Sequence, residues 1–272
     1  MLANSSLSGA TTQTSPAQSV YVPTQVYLSS DAGLSANQYY NSVSYVLPSV
    51  LMCPDGYLYT VSLRGLSMVN SQFVVCDYNN WFVIDGHTYT VESGDYTATS
   101  LVAALNALTT GVCYFGFDSV SMKVTVTGGL MIMSGPLFNE ILDIADCTAY
   151  TATSYRTVRL YGTQSVFVDI SLPGQNITLR KGDMSSTTIC RVPCTAAPLQ
   201  CLHYENPITC GNLIHDPSVF AFTISLTDDK GRPLLCTTPY EMSLEFAPVF
   251  QNRYGLQSER PTALSNFPFP SK

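Results

Sequence analysis

With 272 residues, 46% of them hydrophobic, the chain can build one large domain or two ordinary ones around a real core. Only 11% of it is charged, against roughly 25% in an average soluble domain, so Ser, Thr, Asn, Gln and Tyr must cover the surface. The net charge of -7, with only twelve Lys plus Arg and no basic run, excludes sequence-independent tracking of a phosphate backbone, and no apolar stretch approaches the ~18 residues of a membrane helix.

The start, MLANSSLSGATTQTSPAQS, has neither a basic beginning nor an apolar core and does not read as a signal peptide. Residues 1–40 are rich in Ser, Thr, Gln, Ala and Asn, and only Val20-Tyr21-Val22 and Val26-Tyr27-Leu28 could form short strands. This stretch is predicted to be an extended arm, either a disordered tail or one that lies on a neighbouring subunit. From residue 41 a period of two takes over. Val43, Tyr45 and Leu47 alternate with other residues, as do Tyr57, Tyr59, Val61 and Leu63 after the Pro54-Asp55-Gly56 turn. Such runs predict half-buried strands.

Trp81 to Ile84 is an apolar run followed by Asp85-Gly86, whose two residues tolerate positive φ and predict a hairpin with His87 to Val91. Leu101, Ala104, Leu105 and Leu108 share one helical face, with Ser100 as N-cap and Gly111 as C-cap. Val124 and Val126 resume the period of two. Phe138, Ile141 and Leu142 behind Gly135-Pro136 predict a second short helix.

A polar stretch at 148–155 marks a boundary, and a second β-rich half follows. Val166, Val168, Ile170 and Leu172 alternate before Pro173-Gly174. Phe220, Phe222, Ile224 and Leu226 do so before the Asp228-Asp229-Lys230-Gly231 turn, with Leu234-Leu235-Cys236 as the return and Met242 to Phe246 as a last strand. The final segment, with three prolines, is expected to run extended and dock through Phe267 and Phe269, or to dangle. The predicted fold is mainly β, an antiparallel sandwich or jelly roll in two β domains. The expected units are an arm at 1–40, a β domain with short helices at 41–152, a β-sandwich at 153–255 and an extended tail at 256–272.

Candidate chemistry is sparse. The three histidines are His87, His203 and His215, and the nine cysteines lie at 53, 76, 113, 147, 190, 194, 201, 210 and 236. Cys190, Cys194, Cys201 and His203 could supply four zinc ligands, but their spacing fits no common zinc ribbon. Buried free thiols are the plainer reading, and late disulfides the remaining one. Asp228-Asp229 could pose as paired carboxylates, yet a turn explains them. Lys181-Gly182-Asp183 could engage an integrin-like receptor, again with a turn as the plain account. Asn4-Ser5-Ser6 and Asn176-Ile177-Thr178 match the glycosylation sequon by chance. No nucleophile elbow, phosphate loop, dinucleotide fingerprint or calcium loop occurs. No catalytic residue, cofactor or metal ligand is therefore assigned.

Several segments together resemble one family. They are SYVLPSVLMCPDGYLYTVSLRGLSMVNSQFVV at 44–75, GDYTATSLVAALNAL at 94–108, FDSVSMKVTVTG at 117–128 and SVFAFTISLTDDKGRPL at 218–234. Their order over residues 43–250 is similar to that of the minor capsid or penton-type proteins of eukaryotic double-stranded DNA viruses of the polinton and adenovirus-related, double jelly-roll lineage. The resemblance implies a non-enzymatic shell component of the virion, made in the host cytoplasm. It would form homo-oligomers and contact the major capsid protein at a vertex or as cement. Competing readings are a receptor- or carbohydrate-binding adhesin, suited to exposed aromatics on a charge-poor sheet, and an enzyme with a nonstandard site.

Overall fold

The computed structural model describes residues 22–35, 39–172, 187–206, 211–214 and 218–250. Val20-Tyr21, both sequons, Pro173-Gly174, Lys181-Gly182-Asp183, Cys210, His215 and the tail with Phe267 and Phe269 lie outside them. The described elements, in chain order, are β1 (Thr24–Ser29), β2 (Leu34–Ser35), β3 (Ser42–Met52), β4 (Tyr57–Val69), β5 (Trp81–Ile84), β6 (His87–Thr90), α1 (Ala98–Leu108), β7 (Cys113–Asp118), β8 (Lys123–Ser134), a π-helical turn (Leu137–Leu142), β9 (Cys147–Thr153), β10 (Ser165–Ser171), β11 (Thr188–Pro193), β12 (Cys201–Glu205), β13 (Asn212–Ile214), β14 (Ser218–Thr227) and β15 (Glu241–Phe250).

All pairings are antiparallel. One sheet runs β1-β15-β4, with β12 and β13 sharing the far edge of β4; the second runs β11-β10-β14-β3-β2. The eight principal strands, taken in chain order, are β1, β3, β4, β10, β11, β12, β14 and β15. They stand as first-eighth-third-sixth in one sheet and fifth-fourth-seventh-second in the other. That interleaving is the jelly roll, two Greek keys wound into a sandwich. The inward residues of both sheets, among them Val61, Leu63, Val168, Ile170, Phe222, Ile224, Leu244 and Phe246, form one core. Full burial of each large aliphatic or aromatic side chain contributes roughly 1.5–3 kcal/mol.

A local irregularity sets the faces of the central strand. On β4 the register with β15 passes from Leu63↔Leu244 to Gly65↔Ser243, leaving Arg64 as the extra residue of a bulge. Tyr59, Val61 and Leu63 face inward before it, Leu66 and Met68 after it. The parity of the sequence pattern changes at Arg64, whose Nε lies 3.4 Å from buried Glu245.

Between β4 and β10 the chain builds a second unit. Its sheet has the order β6-β5-β8-β7, with β9 also paired to β8. β7 covers β8 up to Gly128 and β5 takes over from Met133, so one long strand serves both neighbours in succession. This unit has its own core, with Phe82, Phe115, Phe138, Leu101, Leu105, Met131 and Met133 at its centre. Phe82 meets Phe138 edge-on at 5.2 Å, a favoured aromatic geometry.

The expected break near residue 152 therefore does not follow the sheets. β3 and β4, assigned to the first half, pair with β14, β12 and β15 of the second. The jelly roll joins strands far apart in the chain, and alternation within a strand carries no information about its partner. Nor do residues 24–35 behave as an arm: β1 pairs with β15 from Thr24↔Phe246 to Ser29↔Glu241, and Leu28 enters the core.

Local expectations fare unevenly. Asp85 (φ 50°) and Gly86 (φ 81°) form the tight turn between β5 and β6, as their residue types predict. α1 is capped by Thr97, not Ser100; Ser100 is the third helical residue, and the two complete a reciprocal capping box. The buried face of α1 is Leu101, Val102 and Leu105, while Leu108 is exposed. The second helix is a π-turn ended by Asp143 in the left-handed region. The return after Asp228 is a single bridge, Thr227↔Pro233, rather than a strand. β15 continues through Pro248 to Phe250, beyond the expected Phe246, because β1 ends opposite Phe246 and leaves that flank open.

Candidate interaction surfaces

The outer face of the first sheet carries a shallow groove. Register across β1, β15, β4 and β12 lines up two rows of side chains. One is Ser29, Glu241, Ser67 and His203; the other is Tyr27, Ser243, Gly65 and Glu205. Gly65 has no side chain, so the middle of the second row sinks and opens about 470 Å³ between the flanking residues. A Cβ at Gly65 would sit 3.1 Å from Ser243 Oγ. Ser67 Oγ and His203 Nδ1 are 3.1 Å apart and fix the imidazole on one wall. Tyr27, 77% exposed, forms the other wall. Glu205 and Glu241 are exposed, and no Lys or Arg lines the groove among the described residues.

The outer face of the second sheet is apolar in one place. Val46 (74% exposed), Met52 (72%) and Phe220 (52%) stand on adjoining strands β3 and β14, joined by Val50. The register of these strands slips between Val46↔Ala221 and Leu51↔Val219. Pro48 lies in the slipped stretch, where a ladder donor is not required. The slip projects Val50 and Phe220 outward together. The inserted unit adds an uncharged face: Tyr114 stands opposite Thr127, Ile132 opposite Thr148, and Thr125 bonds Thr153 at 3.1 Å.

The two units are joined by charge. Glu140 on the π-turn pairs with Lys230 and, at 3.1 Å, with Arg232 of the jelly roll. Arg232 Nε also donates to Asp228 at 2.8 Å, and its guanidinium lies 4.9 Å over the ring of Tyr78. Burial alone would lower the Arg232 pKa, but Asp228 and Glu140 outweigh it and hold the group above its ordinary value. Tyr78 Oη donates to the Pro233 carbonyl at 2.9 Å. A cavity of about 260 Å³ beside this network is lined by Cys76, Glu140, Arg159, Tyr161 and Arg232.

The residues singled out from the sequence are not gathered. His87 is exposed at the start of β6. Cys190 lies on β11 in the second sheet and donates to Tyr204 Oη at 3.4 Å, while Cys201 and His203 lie on β12 in the first. The eight described cysteines are free thiols, and no cluster of three or more His, Cys, Asp or Glu capable of holding a metal occurs among the described residues. Asp228 is buried and organises its turn by accepting from the Lys230 and Arg232 amides; Asp229 points to solvent. No helix among the described residues is long and apolar enough to cross a membrane. The groove was invisible to motif reading, although Glu241-x-Ser243 and His203-x-Glu205 do mark polar outward rows at period two.

No family model and no curated protein matches the chain. Among solved structures, the chain is similar to the mavirus penton protein at 13% identity and a TM-score of 0.45, over 83% of this chain and 100% of that one. A likeness of this size is too small to argue from, and the fold rests on the strand order above.

Proposed function

We propose that the protein is a structural component of a viral capsid, a minor capsid, penton or cement protein, that self-associates and contacts the major capsid protein in the virion. The observation that carries this reading is the apolar Val46, Val50, Met52 and Phe220 patch on the outer face of the second sheet. Contiguous apolar groups on a sheet face mark a surface meant for a partner. Interfaces of this kind are depleted of charge and enriched in aromatics and Met at their centre. Jelly rolls build viral shells, though also lectins and cupins, so the fold supports the reading only by analogy. The family resemblance of the segments at 44–75, 94–108 and 218–234 points the same way. The role in this reading is non-enzymatic; among the described residues Asp228 serves its turn and Glu140, Lys230 and Arg232 serve the seam.

The test is particle incorporation of a Phe220→Glu variant. The reading expects a folded protein with native circular dichroism that enters particles poorly. Normal incorporation would remove the patch from the account.

A further inference from the structure

Strand β9 is an outer strand of the inserted unit. It pairs with β8 on one flank and, among the described residues, with no strand on the other. The Ser154 amide donates to the Val124 carbonyl at 2.9 Å. Bonding alternates along an antiparallel ladder, so Ala152, opposite Val126, also turns its backbone groups toward β8. The N–H and C=O of Thr151 and Thr153 then point outward. A row of such groups is a template for another strand, and edges are commonly guarded by charge or proline. β12 carries Glu205, and β11 carries Arg191 and Pro193. β9, with the sequence CTAYTAT, has no such guard.

The residues beside β9 identify the occupant. Asp146 lies five positions before Thr151 and Arg156 five positions after it, and both are exposed. Neither side chain forms an ion pair among the described residues. Asp146 Oδ1 accepts from Asn139 Nδ2 at 3.0 Å and from the Gly135 amide at 3.3 Å, which holds the carboxylate at the head of the strand. In an antiparallel pair of identical strands the start of one meets the end of the other. An uncharged strand with an acid before it and a base after it is therefore complementary to itself. β1 is an uncharged edge too, but the five residues on either side of it contain only Asp31 as a charge, so a second copy would meet no opposite charge there.

We propose that β9 is the interface with a second copy of this chain. The two β9 strands pair antiparallel about a two-fold axis near Thr151 and join two inserted units into one continuous sheet. Thr151 and Thr153 of each copy exchange backbone hydrogen bonds with the other copy, and Asp146 of each reaches Arg156 of the other. The exposed Tyr150 side chains lie on either side of the axis. This inference does not rest on the capsid reading.

Sedimentation velocity of the full chain carrying Phe220→Glu tests it, because that background removes association through the second sheet. A dimer is expected at tens of micromolar. Arg156→Asp sets carboxylate against carboxylate and should raise the dissociation constant about tenfold, the scale of two exposed ion pairs lost. Asp146→Arg should do the same. An equimolar mixture of these two variants should dimerise like the unreversed chain, because every contact between positions 146 and 156 is attractive again. Thr151→Lys, exposed and at the axis, should abolish the dimer with circular dichroism unchanged. A Phe220→Glu chain that stays monomeric at that concentration would overturn the proposal. So would a dimer that Thr151→Lys leaves intact, or a mixture that associates no more tightly than its components.

Discussion

Single residues carry several of the constraints that make this fold specific. Gly135 sits at φ +115°, and a Cβ there would lie 2.9 Å from the Phe82 Cα and 3.2 Å from the Trp81 carbonyl. Gly135→Ala combines backbone strain with a clash that no flexible side chain can relieve. It should cost at least ~1–3 kcal/mol, read as a lower denaturation midpoint. Cys236 acts through its proton. Burial pushes its thiol from 9.0 up to about 12. The folded state thus keeps a proton that the unfolded chain releases above pH 9.0. Stability is full below that pH and falls by roughly 1.4 kcal/mol per unit as pH rises towards about 12. Burial raises the phenols of Tyr45 and Tyr240 as well, so the fall steepens above their ordinary 10.0. Denaturant titrations at several alkaline pH values should show a shallower slope for Cys236→Ala; an identical slope would remove Cys236 as the cause.

Among elements, α1 and β7 illustrate how an edge is managed. β7 pairs only with β8, which leaves its outer backbone groups open. Asn106 closes them: its Nδ2 donates to the Phe115 carbonyl at 2.9 Å, and its Oδ1 accepts from the Phe115 amide at 2.7 Å. A capped edge is a poor template for unwanted strand addition. Asn106→Ala should cost about 1–3 kcal/mol by unpairing both groups and should raise the tendency to aggregate, measurable by light scattering. The turns and short elements were the legible part of the sequence, because their signals are local. Asp85-Gly86 declares its hairpin, and the apolar spacing around Leu101 declares its helix. The cap at Thr97 was missed because Thr97 and Ser100 are both good N-caps, and only their reciprocal bonding distinguishes cap from third residue. Pairing was not legible at all. Val61 opposite Phe246 joins residues from opposite ends of the chain, and neither residue announces the other. The groove shares that fate, since its two rows draw on four strands and its depth depends on a glycine with no motif around it. Likewise the bulge at Arg64 reverses the parity of β4, and Gly65 beside it, the kind of in-strand glycine that marks a bulge, is its one local signal.

At the scale of the whole molecule, two cores meet across a seam of few charges. Glu140 reaches from the inserted unit to Lys230 and Arg232, which also hold the turn through Asp228. Glu140→Gln should loosen the seam while sparing both cores. Amide exchange is then expected to quicken around the π-turn and the Asp228 turn, but not in β4 or β8. The edge strand β1 changes the meaning of the N-terminal region. Removing residues 1–21 should leave a folded jelly roll, whereas removing 1–38 strips β1 from β15 and Leu28 from the core. The outer faces remain the centre of the functional account. The exposed apolar patch of Val46, Val50, Met52 and Phe220 is costly to leave in water and is best covered by another protein. The most direct measurement is the native mass of the purified full chain, compared with that of Phe220→Glu. The account predicts a discrete homo-oligomer for the wild type and a folded monomer or smaller species for the variant. A wild-type chain that stays monomeric at tens of micromolar, or an oligomer that the substitution leaves intact, would contradict it.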